Sequence, residues 1–201
     1  MFRENLKLEL KNQKRLLRQD MLAKRQSLSE SFRINSEFKV HEQCKKLCQS
    51  YLKQGELLAS YRHMPGELNL DSFNFTYKYK FIFPKVVGDS LHFFECNTEN
   101  DFIAGSFNIP EPKDHCLEIN IEECSMVLVP GVAFDRRGRR LGMGKGFYDK
   151  ALADYKGLKV GVAFNCQLLN DELPHEDHDL FMDFVITENF TISPIHEKRS
   201  F

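Results

Sequence analysis

The sequence predicts an α/β fold: a single three-layer domain in which a mostly parallel, Rossmann-like open sheet is flanked by helices. Two amphipathic helical segments open the chain, and short apolar runs then alternate with helical or polar segments. The apolar runs are continuous rather than alternating, which is typical of strands buried on both faces. The chain has 201 residues, so we expect one domain over residues 1–201, with residues 1–10 as a candidate disordered or fraying extension.

Four helices are expected. Apolar spacing predicts a first helix over residues 4–25, with a stripe formed by Leu6, Leu10, Leu17 and Met21. Ser29 is a good N-cap for a second helix that runs to about Leu52 and places Val40, Cys44, Leu47, Cys48 and Tyr51 at core spacing. A short aromatic-rich helix is expected over 70–78, and a fourth from 146 to about 155.

Strands are expected at 57–61, 80–86, 91–95, 125–130, 158–164 and 184–187, with a hairpin turn over 135–138. In open α/β sheets, ligands bind beyond the carboxyl ends of the strands. We therefore expect Glu67, Lys85, the glycine-rich segment around residue 144 and the loop after Phe164 to meet at one edge of the sheet.

The charge of the chain is balanced overall but uneven along its length. The net charge is −1, which favours neither nucleic acid nor membrane as a partner. Residues 3–25 nevertheless carry eight Lys/Arg, whereas residues 170–183, the acidic loop, carry six acids and no Lys or Arg. This pairing suits a site for an anion and a cation together. A solvated basic helix and an acidic surface loop is the alternative that the sequence leaves open.

Cysteine usage predicts a reducing compartment. The six cysteines contain no Cys-x-x-Cys pair, which is typical of reduced thiols in a cytoplasmic protein rather than of disulfides or a zinc site. The apolar runs are far shorter than a membrane span, and the first residues lack the apolar stretch of a signal peptide. We expect a cytoplasmic protein with no membrane partner.

The segment from Gly131 to Asp149 carries the clearest chemistry. Gly142, Gly144 and Gly146 let the backbone approach a ligand closely and adopt positive φ. Successive amides in such a turn bind anions, and the start of the following helix adds partial positive charge. Lys145 supplies a point charge for phosphate oxygens, and Asp149 can reach a hard cation. The segment predicts a polyphosphate site with its metal.

This segment is neither of the two common nucleotide fingerprints. Arg139 stands where a P-loop has its first glycine, and Gly146 stands where it has a hydroxyl residue. Phe147 replaces the last glycine of a dinucleotide fingerprint. A glycine-rich hairpin without a ligand therefore stays open from these residues alone.

Taken in order along the chain, these motifs resemble the 5-formyltetrahydrofolate cyclo-ligase family over residues 10 to 188. The specific part is the run of residues 131–135, Gly138 and residues 140–149. Weaker matches fall in the right order: Lys14-x-x-x-Arg18, Met64-x-x-Glu67, Phe83-Pro84-Lys85, residues 105–112, and residues 162–167 followed by 173–179.

The resemblance implies the irreversible, ATP- and Mg²⁺-dependent conversion of 5-formyltetrahydrofolate to 5,10-methenyltetrahydrofolate, with release of ADP and phosphate. The partners it implies are small molecules, and we expect a monomer. It implies ATP-binding residues in the first helix and in the loop: Lys14, Arg18, Arg140, Leu141, Gly142, Met143, Gly144, Lys145, Gly146, Phe147 and Tyr148. The catalytic residues it implies are Lys145, Arg140 and Tyr148.

The resemblance also implies which residues bind the folate and which bind the metal. The resemblance assigns folate to Arg62, Glu67, Phe107, Met143, Lys145 and Tyr148, and Mg²⁺ to Asp149 and Asp179. A carboxylate such as Glu67 suits the N–H edge of a pterin. Met143 stands where some members have arginine, and Phe107 stands where some have tryptophan. His175 and His178 flank the acidic loop but lack a third soft ligand nearby in sequence, which argues against a transition metal there.

Two other functions stay open at this point. A divergent member of the family could use the ATP machinery on another metabolite. The basic first helix could instead lie on an RNA backbone, although the near-neutral charge weighs against it.

Overall fold

The computed structural model describes residues 2–75, 79–105 and 109–194. The helices are α1 (Phe2–Gln26), α2 (Glu30–Tyr51) and α3 (Phe147–Ala151). The strands are β1 (Leu57–Ala59), β2 (Lys80–Val87), β3 (Ser90–Glu95), β4 (Phe102–Ala104), β5 (Pro110–Pro112), β6 (Glu118–Ile119), β7 (Met126–Pro130), β8 (Ala133–Asp135), β9 (Arg140–Leu141), β10 (Leu158–Val162), β11 (Leu168–Leu169), β12 (Phe184–Ile186) and β13 (Thr191–Ile192).

An eight-stranded open sheet forms the centre of the protein, in the order β13-β12-β10-β7-β1-β2-β3-β6. The five strands from β12 to β2 run parallel, and the pairings at both edges, β12–β13, β2–β3 and β3–β6, are antiparallel. The predicted α/β class with a mostly parallel sheet is confirmed.

Both faces of this sheet are buried, because alternate residues of each strand point to opposite sides. On β7, Leu128 packs in a cluster with the buried side of α2, whereas Val127 and Val129 pack in a second cluster with Leu152 and Tyr155, which follow α3. The two clusters give the layered arrangement, with α2 over one face and α3 over the other.

Helix α1 covers a third, smaller cluster rather than a face of the main sheet. Met21 is fully buried against Val132, Ala133, Leu141 and Leu173, which belong to the small sheet β11-β8-β9 and its neighbouring loop. The small sheet follows β7 directly, so α1 lies at the carboxyl edge of the parallel strands. Leu6, on the predicted stripe, is 50% exposed, because only the second half of α1 packs against the domain.

Two helix predictions need correction. Residues 71–75 form turns, not a helix, because the Asn74 side chain bonds to Ser60 and to the Tyr61 carbonyl and fixes a turn; residues 76–78 lie outside the described part. Helix α3 ends at Ala151 rather than near Tyr155, whose hydroxyl donates to the Cys124 carbonyl and draws the chain out of the helix. The Ser29 cap is confirmed, although Tyr51 is exposed rather than buried.

The predicted strands all form, with ends shifted by one to two residues. The short strands β4, β5, β6, β11 and β13 were not predicted, because segments of two or three residues carry no periodic signal. The turn over 135–138 is a hairpin between β8 and β9, with Gly138 at φ +81°. Among the described helices, none combines the length and the apolar character that crossing a bilayer requires.

Replacing Leu128 tests the central strand. Leu128→Ala should lower the free energy of unfolding by about 2–5 kcal/mol, because the leucine is fully buried and its removal leaves a cavity. Leu8→Ala makes the same chemical change at a side chain that is 60% exposed and should stay within about 0.5 kcal/mol of the parent. Urea unfolding measures both, and equal effects would contradict the assigned core.

Candidate active site

Three basic residues of α1 share one helical face and reach three different parts of the carboxyl edge. Lys14, Arg18 and Arg25 are spaced four and seven residues apart, which aligns them along the helix. Lys14 contacts the acidic loop, Arg18 the glycine loop (residues 142–146), and Arg25 the turn over residues 64–67. The basic segment and the acidic loop seen in the sequence therefore face each other.

Lys14 is the buried cation of this arrangement. It is 7% exposed, and its ammonium donates to Glu176 at 2.8 Å and to Asp179 at 2.6 Å. Burial alone would lower the pKa of Lys14, but the hydrogen bonds to Asp179 and Glu176 outweigh it and raise the pKa. Burial likewise works against the charge on Asp179, yet Lys14 and the Glu176 amide hold its pKa below the ordinary value. Both groups stay ionised at neutral pH.

The glycine loop is shaped by arginines on both sides. Arg18 Nε donates to the Gly142 carbonyl at 2.7 Å, and its guanidinium lies where a Cβ on Gly144 would touch it at 3.4 Å. Gly144 and Gly146 have positive φ, as predicted. Gly142 does not. A Cβ at Gly142 would lie 2.8 Å from the Arg140 guanidinium, so a side chain there would displace that group.

The loop leaves several donors available. Within the described residues, none of the amides from Gly142 to Gly146 donates to a protein acceptor. Lys145 is exposed and has no ion pair among the described residues, unlike Lys14 or Arg140. Amides and an ammonium in this state can accept an anion without first breaking a bond within the protein.

Arg140 forms the opposite wall of the loop. Its Nη2 lies 3.0 Å from both carboxylate oxygens of Asp149, its Nη1 donates to the Pro130 carbonyl, and the group lies over the Tyr148 ring. Arg140 is thus tied to the protein, and so is Asp149, which also accepts the Leu180 amide at 3.4 Å. Leu141 is buried beneath the loop, Phe147 is half-buried at the start of α3, and Met143 is 48% exposed.

The oxygen ligands for a cation gather in the acidic loop. Ligand atoms of Glu176, His178 and Asp179 lie within 4.8 Å of one another, and no cluster of this kind among the described residues includes Asp149. The predicted metal pair, Asp149 and Asp179, stays a prediction. Asp179 lies with Glu176, and Asp149 lies with Arg140. His175 packs edge-on against Phe181.

The turn over residues 64–67 places Glu67 beside Arg25 of α1. Burial raises the pKa of Glu67, while the Met64 amide, which donates to it at 3.0 Å, and Arg25, whose Nη1 lies 3.7 Å away, oppose that rise. Burial, and then the charge of Glu67, raise the pKa of Tyr148. The charge of Glu67 is thus felt at the Tyr148 hydroxyl.

Several residues that fix this geometry were not predicted. Gln167 joins the loops after β7 and β10, since its amide donates to the Gly131 and Val132 carbonyls. Asp135 accepts the Arg137, Arg139 and Leu173 amides and so links the hairpin turn to the acidic loop. Arg25 follows Arg18 by two helical turns, and this spacing could have revealed it.

Other predicted residues lie apart from these contacts. Arg62 is occupied by Asp71 and Glu99 and lies over the Phe102 ring. Lys85 bonds to Asp114 and lies over the Phe94 ring. Among the described residues, no hydrogen bond or ion pair joins the Lys85 side chain to the other residues of the carboxyl edge. Phe107 lies outside the described residues.

Fold and site define an α/β protein that presents a glycine-rich loop and opposed charged groups at the carboxyl edge of its parallel strands. The chain belongs to the 5-formyltetrahydrofolate cyclo-ligase family, whose model matches residues 10–188. The resemblance drawn from the motifs is thereby confirmed.

Individual relatives agree. The chain is 35% identical over 102 residues to a 5-formyltetrahydrofolate cyclo-ligase of Escherichia coli K12, covering 49% of this chain and 56% of that protein. It is 41% identical over 88 residues to one of Mycolicibacterium smegmatis, covering 42% of this chain and 45% of that protein. The matched segments span about half the length of these curated relatives.

Solved structures match along nearly the whole chain. The NMR structure of Aquifex aeolicus 5,10-methenyltetrahydrofolate synthetase is 35% identical, with a TM-score of 0.81 over 94% of this chain and 95% of that one. A 5,10-methenyltetrahydrofolate synthetase from Mycoplasma pneumoniae, 21% identical with a TM-score of 0.70, covers 87% of this chain and 98% of that one and shows the same fold.

Removing the charge of Arg25 tests the pairing with Glu67. In Arg25→Met the Glu67 carboxyl should titrate about one pKa unit or more above its value in the parent, because a nearby cation no longer favours the ionised form. Arg15→Met, an exposed position on the same helix, should leave that pKa unchanged. Carbon-13 NMR of the assigned carboxyl measures it, and an unchanged or lower pKa in Arg25→Met would refute the pairing.

Proposed function

We propose that this protein uses ATP to cyclise 5-formyltetrahydrofolate to 5,10-methenyltetrahydrofolate, with release of ADP and phosphate. The observation that carries the proposal is the glycine loop. Its amides have no acceptor among the described residues, and it lies between Arg18 and Arg140 with an exposed Lys145. Family membership supplies the identity of the reaction.

The chemistry needs a charge-neutralising site more than a nucleophile on the protein. The formyl oxygen attacks the γ-phosphorus of ATP and the bond to the β–γ bridging oxygen breaks, which releases ADP and leaves an iminium phosphate at N5. N10 then attacks the activated carbon, loses its proton, and displaces phosphate as the five-membered ring closes. Such transfers depend on positioning and electrostatic stabilisation.

The residues at the loop divide this work. Lys145 neutralises charge on the transferring group, since it is the loop's exposed cation. Arg18 and Arg140 hold the loop open through Gly142 and Asp149. Lys14 gives up one of its two carboxylate partners and donates to a phosphate instead. Leu141, Met143 and Phe147 contribute backbone groups and side chains to the wall of the site.

Mg²⁺ fits the acidic loop by the chemistry of its donors. Asp179 and Glu176 offer carboxylate oxygens within one small cluster, and magnesium takes one or two carboxylates together with phosphate oxygens and water. When bound, it would supply charge neutralisation between phosphate oxygens. Asp149, predicted as the second ligand, is paired with Arg140 in this state, so we propose Asp179 as the main ligand.

The folate half of the site is proposed at Glu67 and Tyr148. Glu67 accepts the N–H edge of the pterin, with Arg25 favouring its ionised form, and Tyr148 lies under the Arg140 guanidinium at the glycine loop. Phe107 and Arg62 remain proposals as folate contacts, and the guanidinium of Arg62 is bonded elsewhere in this state.

The other candidate functions have less support. The basic helix is poorly suited to RNA, because Lys14, Arg18 and Arg25 point into the protein. We also propose a cytoplasmic location, supported by six free cysteines. A monomer acting on small molecules stays our prediction.

The direct assay mixes the purified protein with 5-formyltetrahydrofolate, ATP and Mg²⁺ and follows the near-ultraviolet absorbance of the methenyl product. Lys145→Ala should lower kcat by about two decades, because charge stabilisation of the transferring group is lost. Lys150→Ala, an exposed lysine on α3, is the matched control and should keep the parent rate. A silent parent beside an active reference enzyme would remove the proposed activity, and a near-normal Lys145→Ala would remove the lysine's role.

Glu67→Gln should separate the two substrates. KM for the folate should rise about tenfold or more because a charge-assisted hydrogen bond is lost, while KM for ATP stays near the parent value. Glu123→Gln, exposed on a distant turn, should change neither. If the ATP constant rises instead, the assignment of Glu67 to the folate half is wrong.

A further inference from the structure

A group of metal-binding side chains lies at the edge of the main sheet and takes no part in the site described above. Its members are Asp101, His115 and Cys116, whose ligand atoms lie within 4.8 Å of one another, and Cys96, whose Sγ lies 3.7 Å from that of Cys116. We call these four residues the thiol–imidazole cluster. We propose that it binds a Zn²⁺ ion.

The backbone brings the two thiols together. Strands β3 and β6 pair with Phe93 opposite Ile119 and Phe94 opposite Glu118. Continuing this antiparallel register places Cys96 opposite Cys116, and the Glu95 amide donates to the Leu117 carbonyl at 2.9 Å between them. Two sulfurs bound to one tetrahedral zinc at about 2.3 Å each are about 3.8 Å apart. The sulfurs are thus already at the separation that zinc requires.

Asp101 is held so that one oxygen is directed at the cluster. Its Oδ2 accepts the Asn97 and Thr98 amides and the Thr98 hydroxyl, and its Oδ1 lies 3.1 Å from His115 Nε2. These bonds, with the Asn97 amide and His115 foremost, lower the pKa of Asp101 to about 2. The carboxylate is therefore ionised and oriented, as supporting hydrogen bonds do for metal ligands.

The ligand set favours zinc over the hard cation proposed at the acidic loop. Two thiols, one imidazole and one carboxylate are ligands that structural zinc sites use, whereas Mg²⁺ prefers oxygen alone. Burial raises the pKa of Cys96, so metal binding must release its proton. The charge of Arg62 favours the thiolate of Cys96.

A bound ion would hold together the two ends of the segment between Cys96 and Cys116. Cys96 directly follows β3, Cys116 precedes β6, and the chain between them carries the β4–β5 hairpin. The ion would therefore fix this hairpin to the sheet edge, and removing it would free the hairpin without unfolding the parallel core.

The test uses the full chain, stripped of metal with a chelator and kept reduced with a phosphine. Titration with Co²⁺ should give one equivalent of binding, with the sulfur-to-cobalt charge-transfer band and the intense visible bands of four-coordinate cobalt, and Zn²⁺ should displace it. The acidic loop cannot produce the charge-transfer band because its cluster contains no sulfur. The result is thus independent of the proposed cyclo-ligase activity.

Matched variants locate the site. Cys116→Ser and His115→Ala should weaken metal binding by at least about tenfold, since even outer-shell changes have effects of about 10–100-fold. Cys166→Ser, at another half-buried cysteine, and His92→Ala, whose imidazole also pairs with a carboxylate, should bind as the parent does. Far-ultraviolet circular dichroism checks that each variant folds.

Either of two results would overturn the proposal. One is a reduced parent protein that gives no charge-transfer band, which would leave Cys96 and Cys116 as a simple thiol pair. The other is a band that persists unchanged in Cys116→Ser or His115→Ala.

Discussion

The ion pairing of Lys14 with Asp179 and Glu176 is the contact on which the geometry of the site depends. A lysine that is 7% exposed needs a charged partner, because removing one member of a buried pair destabilises a protein by about 3–5 kcal/mol. The pairing fixes the acidic loop against α1. Arg18 and Arg25 on the same helical face then contact the glycine loop and the Glu67 turn.

This arrangement shows how a chain of net charge −1 can place opposed charges at one edge of its sheet. Residues 3–25 carry eight Lys/Arg and the acidic loop that this helix faces carries six acids, so the local field at the carboxyl edge differs from the average. In the proposed function, a phosphate of the metal-bound nucleotide replaces a carboxylate as the acceptor of a hydrogen bond from Lys14. The exchange keeps buried charges paired throughout.

The sequence was most informative where a local pattern had a direct structural meaning. Continuous apolar runs such as residues 126–130 predicted the parallel strands, Ser29 predicted its cap, and the order of motifs predicted the family. It was least informative about tertiary polar contacts. Nothing local shows that Asp149 bonds to Arg140 rather than to a metal beside Asp179, or that Asn74 turns the chain where a helix was expected. Such outcomes depend on partners distant in sequence.

The most direct measurement is a crystal structure of the protein with a non-hydrolysable ATP analogue and Mg²⁺. We expect triphosphate oxygens to accept hydrogen bonds from the amides of residues 142–146 and from Lys145, with a phosphate oxygen in place of one of the two carboxylates that now accept from Lys14 Nζ. A nucleotide bound elsewhere, with Lys14 still on Asp179 and Glu176 and those amides turned away from it, would contradict the account.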